Sequence, residues 1–229
     1  MIKFNLVVGA LADQKADAIV TSAAKNLNPV SNYFGDLLEK AGPELSFDIL
    51  KNNYSCEIGD ALVTSAFNLD ADVIVHAVTP NLDSDEENGM SLVATYANAI
   101  IMGYQEGDAR TFVVPPLGLE SQTQHIMGLA TLAYDGIFLG IGQCPRIKEV
   151  TLCMPDEAIA PVFEHIFKNE LKKGWFFGPS CPKCGNTPVP ITYGLVSGEV
   201  LLDPNFYSGG CIVWEDSPNW GCRACGVEF

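Results

Sequence analysis

An α/β body with a mostly parallel sheet, followed by a small β module built around four thiolates, is the architecture this sequence predicts. Three observations carry it. Over the first 170 residues, short Val- and Ile-rich runs alternate with helical periods, the pattern of strands joined by crossover helices. Near the end stand two C-x-x-C-G pairs, Cys181-Pro-Lys-Cys184-Gly and Cys222-Arg-Ala-Cys225-Gly. The 229 residues are 48% hydrophobic with no low-complexity stretch, which suits one mid-sized core plus a small module.

The strand signals are Ile2–Gly9, Ala18–Ser22, Ala61–Ala66, Val73–Val78, Thr111–Val114 and Glu149–Met154, each bounded by Gly, Pro or Asp. Helical periods fill the intervals at Tyr33–Lys40, Pro43–Asn52, Ser91–Tyr104, Thr123–Leu139 and Glu157–Leu171. In the third helix Leu92, Tyr96, Ile100 and Tyr104 recur every four residues and make one apolar face. Lys172-Lys173-Gly174 and Gly178-Pro179 then punctuate the chain, placing the domain boundary near residue 172, with an α/β domain over 1–172 and a small domain over 173–229. Met1 to Gly9 reads as a first strand, since no cleavage-site pattern follows its short apolar run.

The double C-x-x-C spacing lets each pair present two sulfurs to one ion, so Cys181, Cys184, Cys222 and Cys225 read as a closed tetrahedral Zn2+ site, one per chain. Unpaired or disulfide-linked cysteines are the alternative. With all four positions supplied by protein, such a zinc ion is structural and does not activate water. Val189, Ile191 and Tyr193, then Val200 and Leu202, alternate as in half-buried hairpin strands, with Trp220 beside the metal cluster. Cys211 reads as a small core residue, ligand exchange with it being the other reading.

Charge divides the chain. Residues 1–170 carry 9 Lys and Arg against 23 Asp and Glu, and residues 171–229 carry 4 against 5. A nucleic-acid surface needs a basic footprint, which is missing, so no nucleic-acid partner is expected and the small module reads as structural or protein-facing, toward a protein partner or a second copy. No apolar run approaches the roughly 18 residues that span a bilayer, so no membrane association is expected. Reduced thiols ready for metal place the protein in the cytoplasm.

Two segments of the body resemble the macro-domain family. Asp17-Ala18-Ile19-Val20 through Ala41-Gly42 aligns without a gap to that family's D-A-I-V-N-A-A-N stretch, glycine loop and closing A-G. Cys56 through Pro80 keeps Cys56, Gly59, Ala61, Thr64, Leu69, His76, Val78 and Pro80 in the family's register. The resemblance implies a three-layer macro-domain-like fold with a mixed, mostly parallel sheet. It also implies binding of ADP-ribose or a related nucleotide, with hydrolysis of ADP-ribosyl or acetyl-ADP-ribose bonds in some members. Carried onto this sequence, the ligand-contacting positions are Gly9, Leu11, Ser22, Ser31, Asn32, Gly35, Leu117, Gly118 and Leu119. The terminal segment, from Cys181-Pro-Lys-Cys184-Gly through Pro190-Ile191-Thr192-Tyr193-Gly194 and Gly209-Gly210-Cys211 to Trp220-Gly221-Cys222, resembles a CPxCG-type zinc ribbon found in bacterial proteins.

The departures fall on functional positions. Ala10 stands where the family has the aspartate that holds adenine, and Ala24 and Phe34 stand where catalytic members have asparagine and aspartate. Neither side chain can position water or take a proton. The glycine loop is replaced by Pro29, Val30, Ser31 and Asn32, and proline removes an amide donor. Ser31 and Asn32 suit a helix N-cap, which accounts for them without a ligand. Val114 to Glu120 resembles the family's second phosphate loop, with Gly118 at its key glycine and Gln122, Gln124 and His125 following. His76 reads as a hydrogen-bonded core residue, and Cys56, Cys144 and Cys153 as buried thiols. The acidic run Asp83 to Asn88 reads as a solvated loop, and Trp175-Phe176-Phe177 as apolar cement between the two parts. Three functions stay open: a non-hydrolytic binder of a nucleotide-derived ligand; a hydrolase with relocated groups such as Asp36, Glu39 or His125; and a ligand-free interaction protein whose pocket is filled by Tyr33 and Phe34.

Overall fold

A computed structural model describes residues 2–30, 32–83, 88–119, 125–173, 181–184, 188–193, 207–209, 214, 217–218 and 220–229. Ser31, Gln122, Gln124, the acidic run from 84 to 87, Trp175-Phe176-Phe177, Val200, Leu202 and Cys211 lie outside these residues, as do the side chains of Asn32 and Tyr33. The chain forms two compact units, Met1–Lys168 and Asn169–Phe229.

In the first unit the chain order is β1 (Lys3–Val8), a 3-10 turn (Leu11–Asp13), β2 (Ala16–Ala23), α1 (Asn32–Ala41), α2 (Pro43–Asn52), β3 (Ala61–Ser65) and β4 (Ala71–Val78). It continues through α3 (Asn88–Gln105), β5 (Thr111–Val114), α4 (Ile126–Gly142) and β6 (Glu149–Met154), and α5 (Ala160–Lys173) runs past the division at Lys168. Six strands make one sheet in the order β1-β6-β5-β2-β4-β3, parallel throughout except for β3, which runs antiparallel to β4. The central strands are mostly apolar because parallel strands are covered on both faces. Ala18 to Ala23 of β2 and Ile74 to Val78 of β4 are accordingly all buried.

The helices cover this sheet. Leu92, Tyr96 and Ile100 of α3 are buried as their four-residue spacing predicts, whereas Tyr104 is half-buried beneath the Arg110 guanidinium, 4.5 Å from its ring centre. Phe4 of β1, Tyr134 and Phe138 of α4 and Phe167 of α5 form an aromatic cluster with ring centres 4.3–6.4 Å apart. Two helices begin later than their periodicity predicts, for local reasons. Asp156 Oδ1 accepts the N–H groups of Ala158 at 2.8 Å and Ile159 at 3.2 Å, so a side-chain turn precedes α5. His125 keeps an extended backbone, and α4 starts only at Ile126.

Among the described residues of the second unit, β7 (Val189–Thr192) lies between β8 (Tyr207–Ser208) and β9 (Trp220–Gly221). The expected hairpin partner, Val200 and Leu202, lies outside the described residues. β7 and β9 are antiparallel, but β7 and β8 are parallel, a pairing that no tight turn can make.

Candidate functional site

Strand order locates the crevice. After β2 the chain leaves toward β4 and β3, and after β5 it leaves through α4 toward β6, although β2 and β5 are neighbours in the sheet. Ligand crevices in open α/β sheets form where connections diverge in this way, at the carboxyl ends of the strands. The β2–α1 loop and the β5–α4 loop border it.

The β2–α1 loop is closed on itself. Ala24 N–H donates to Asn28 O at 2.9 Å, Leu27 N–H to Ala24 O at 2.8 Å, and Pro29 forms an antiparallel bridge with Ala23. Cys56 N–H donates to Lys25 O at 2.9 Å, and Lys25 pairs with Glu57. Leu27 adopts φ +61°, a left-handed conformation that costs a non-glycine residue about 1–2 kcal/mol. Its side chain is 1% exposed, and burial of a leucine offsets that strain. Phe34, in the first turn of α1, is 2% exposed. The positions at which a polar pair would act are thus Ala24 and a core phenylalanine.

The β5–α4 loop is held differently. Leu117 N–H donates to the Tyr96 hydroxyl oxygen at 2.6 Å, and Leu117 is fully buried. Gly118 has φ +80°, and an added Cβ would stand 2.9 Å from Leu82 Cδ1. It is buried, and among the described residues its N–H has no acceptor. Of the other expected ligand positions, Leu11 is buried, and Ser22 is fully buried with its hydroxyl 2.8 Å from that of Thr79. Gly9, Gly35 and Leu119 keep partial exposure. Gly9 donates its N–H to Met154 O at 2.9 Å and accepts the Cys153 thiol at 3.6 Å. Ala10 is exposed, and its carbonyl accepts the Gln14 side-chain amide at 3.0 Å.

The remaining reactive groups are structural. His76 is 1% exposed, its Nε2 lies 2.9 Å from Thr64 Oγ1, and burial pushes it down to about 4. Burial raises the Cys56 and Cys144 thiols, the latter to about 11, which leaves both protonated. A cavity of about 390 Å3 lies at the opposite, amino ends of the strands, lined by Asp17, Asp70, Asp72 and Glu149 among others. Asp17 is already occupied there. Burial opposes its charge, but the N–H groups of Arg110 and Thr111, each 2.8 Å from Oδ2, win and hold it below its ordinary value.

In the second unit the Sγ atoms of Cys181, Cys184, Cys222 and Cys225 all lie within 4.8 Å of one another. Cys181 and Cys225 sulfurs are 3.4 Å apart, and those of Cys184 and Cys222 are 3.5 Å apart, well beyond the 2.05 Å of a disulfide. Four sulfurs at about 2.3 Å from one tetrahedral ion would be separated by just under 4 Å, so the cluster fits a metal ion. Burial raises the Cys181 thiol, but the N–H groups of Lys183 and Cys184 and the neighbouring thiols outweigh it and bring it to about 6. The second knuckle is shaped by the chain itself. Gly226 N–H donates to Cys222 O at 2.7 Å with Gly226 at φ +71°, and Cys222 N–H donates to Val227 O at 2.8 Å.

Residues 20–123 match the family model of the macro domain. Over this stretch the body resembles a macro domain. A macro domain-containing protein of Caldanaerobacter subterraneus is 28% identical over 118 residues, half of this chain and 67% of that protein. Another, from Listeria monocytogenes, is 30% identical over 103 residues, 43% of this chain and 58% of that protein. An O-acetyl-ADP-ribose deacetylase of Enterobacter cloacae is 22% identical across 72% of this chain and 93% of its own length. Among solved structures, the Oceanobacillus iheyensis macrodomain with ADP superposes with a TM-score of 0.65 at 21% identity, over 73% of this chain and 91% of its own. The Trypanosoma brucei macrodomain in complex with ADP-ribose gives 0.64 at 18%, over 72% of this chain and 68% of its own.

Sequence reasoning missed two residues that shape the bordering loops. Leu27 gave no turn signal, because a leucine in a left-handed conformation has no composition cue. Tyr96 was legible only as one member of an apolar stripe.

Proposed function

We propose that this macro-domain-like body binds a nucleotide-derived ligand of the ADP-ribose class without hydrolysing it, on a crevice whose remaining donors are main-chain amides. The observation that carries this reading is the pairing of Ala24 and buried Phe34 at the positions where catalysis needs polar groups, beside a loop that still presents the Gly118 N–H. The relatives support the ligand class: one structure holds ADP and another ADP-ribose. Hydrolysis, which the name of the Enterobacter relative carries, would here need Asp36, Glu39 or His125, all exposed on or beside their helices. Burial of Leu27 and Phe34 favours a second reading, a body that holds no ligand.

Thermal shift with ADP-ribose separates the readings. At one hundred times its Kd the ligand stabilises by about 2.7 kcal/mol, and O-acetyl-ADP-ribose stays intact. Turnover that Asp36→Ala or Glu39→Ala abolishes establishes a hydrolase, and no shift establishes the ligand-free body. In the ribbon, the four cysteines hold one structural Zn2+ per chain, and the module serves protein contacts. Metal analysis of the purified protein is expected to return one equivalent of zinc.

A further inference from the structure

Tyr96 belongs to α3, away from both loops in sequence, yet its hydroxyl meets the main chain of the β5–α4 loop. The reason is the way α4 docks. Gly136 and Gly140, one turn apart, let α4 lie directly on α3: a Cβ at Gly136 would stand 2.5 Å from Val93 O and from Tyr96 Cβ, and one at Gly140 would stand 2.8 Å from Ala97 O. That approach buries Tyr96 to 1% exposure with its hydroxyl at Leu117, where it accepts the N–H at 2.6 Å. The next residue is Gly118, at φ +80°, buried, and with an N–H that lacks an acceptor among the described residues. A buried N–H without a protein partner is met by water or by a ligand.

We infer that Tyr96 is a positioning residue for the macro-domain site: by fixing the Leu117 N–H inward, it orients the following peptide so that the Gly118 N–H is presented to an anionic group of the ligand, such as a phosphate. The inference rests on the ligand reading above. It assigns the donor geometry to the hydroxyl of a buried side chain. Burying a hydroxyl is costly unless it is hydrogen-bonded, and here the bond is spent on the loop.

The test is calorimetric titration with ADP-ribose of the full chain, of Tyr96→Phe and of Thr95→Val. Thr95 is the control, since it is fully buried on the same helix and its hydroxyl donates to Ser91 O at 2.8 Å, without touching the loop. Tyr96→Phe is expected to weaken ADP-ribose at least about fivefold, the worth of one neutral hydrogen bond, with Thr95→Val close to the unaltered protein. Equal affinity in Tyr96→Phe, or equal weakening in both variants, overturns the positioning role while leaving the ligand reading standing. Absence of binding by the unaltered protein overturns both. A variant-free measurement runs beside it: in the unaltered protein the Leu117 amide is expected to be protected from hydrogen exchange, and the Gly118 amide to shift on titration with ADP-ribose. An unprotected Leu117 amide, or an unmoved Gly118 amide in a protein that binds, overturns the inference.

Discussion

His76 sits in the middle of β4 with its ring buried against Thr64, and the fold keeps it neutral. Its proton affinity drops from 6.5 to about 4 on folding, so between those values the unfolded chain binds more protons than the folded one. Stability is therefore intact above about pH 6.5 and is lost as pH falls toward 4, by up to about 3 kcal/mol from this group. Melting temperature against pH is expected to fall more steeply through that window for the unaltered protein than for His76→Gln. At Gly118, alanine would have to hold φ +80° with its Cβ against Leu82. Gly118→Ala is expected to cost about 1–3 kcal/mol in denaturant unfolding and to lose ADP-ribose. Both residues were legible in sequence, His76 from its place in an apolar run and Gly118 from its motif. Leu27 and Tyr96 were not, since their roles come from a backbone conformation and a tertiary contact that periodicity does not encode.

At the scale of elements, the body strands and helices were legible because most bury an apolar face and many end beside Gly, Pro or Asn. Their order in the sheet was not, because strand periodicity says which face is buried and nothing about neighbours. The same holds for β3, whose reversed direction arises from the short link between Ser65 and Ala71. The α3–α4 contact shows what local pattern hides: the glycines of α4 carry no turn signal, yet they set the interhelical distance. Gly136→Ala places a methyl group 2.5 Å from the Val93 carbonyl oxygen, and the helices must separate. An expected loss of about 1–3 kcal/mol in denaturant unfolding checks this, with Gly142→Ala, which meets nothing within 4 Å, near neutral or stabilising.

At the scale of the molecule, the two compact units draw on different sources of stability. The body relies on a sheet covered by helices, whereas in the small unit the proposed zinc ion would supply the stability, roughly 10–16 kcal/mol in structural zinc sites. Chelation, or Cys184→Ser, is expected to unfold the cysteine-bearing unit while the body keeps its thermal transition. Two separate calorimetric transitions collapsing into one would refute that division. The pairing of β1 with β6 carries a further implication. Residues 3–8 find their partners only at 149–154, so a chain emerging from the ribosome must carry this strand unpaired until β6 has been synthesised. Pairing across so long a stretch of chain is slow, and in the interval the unpaired β1 edge is a surface a chaperone would cover.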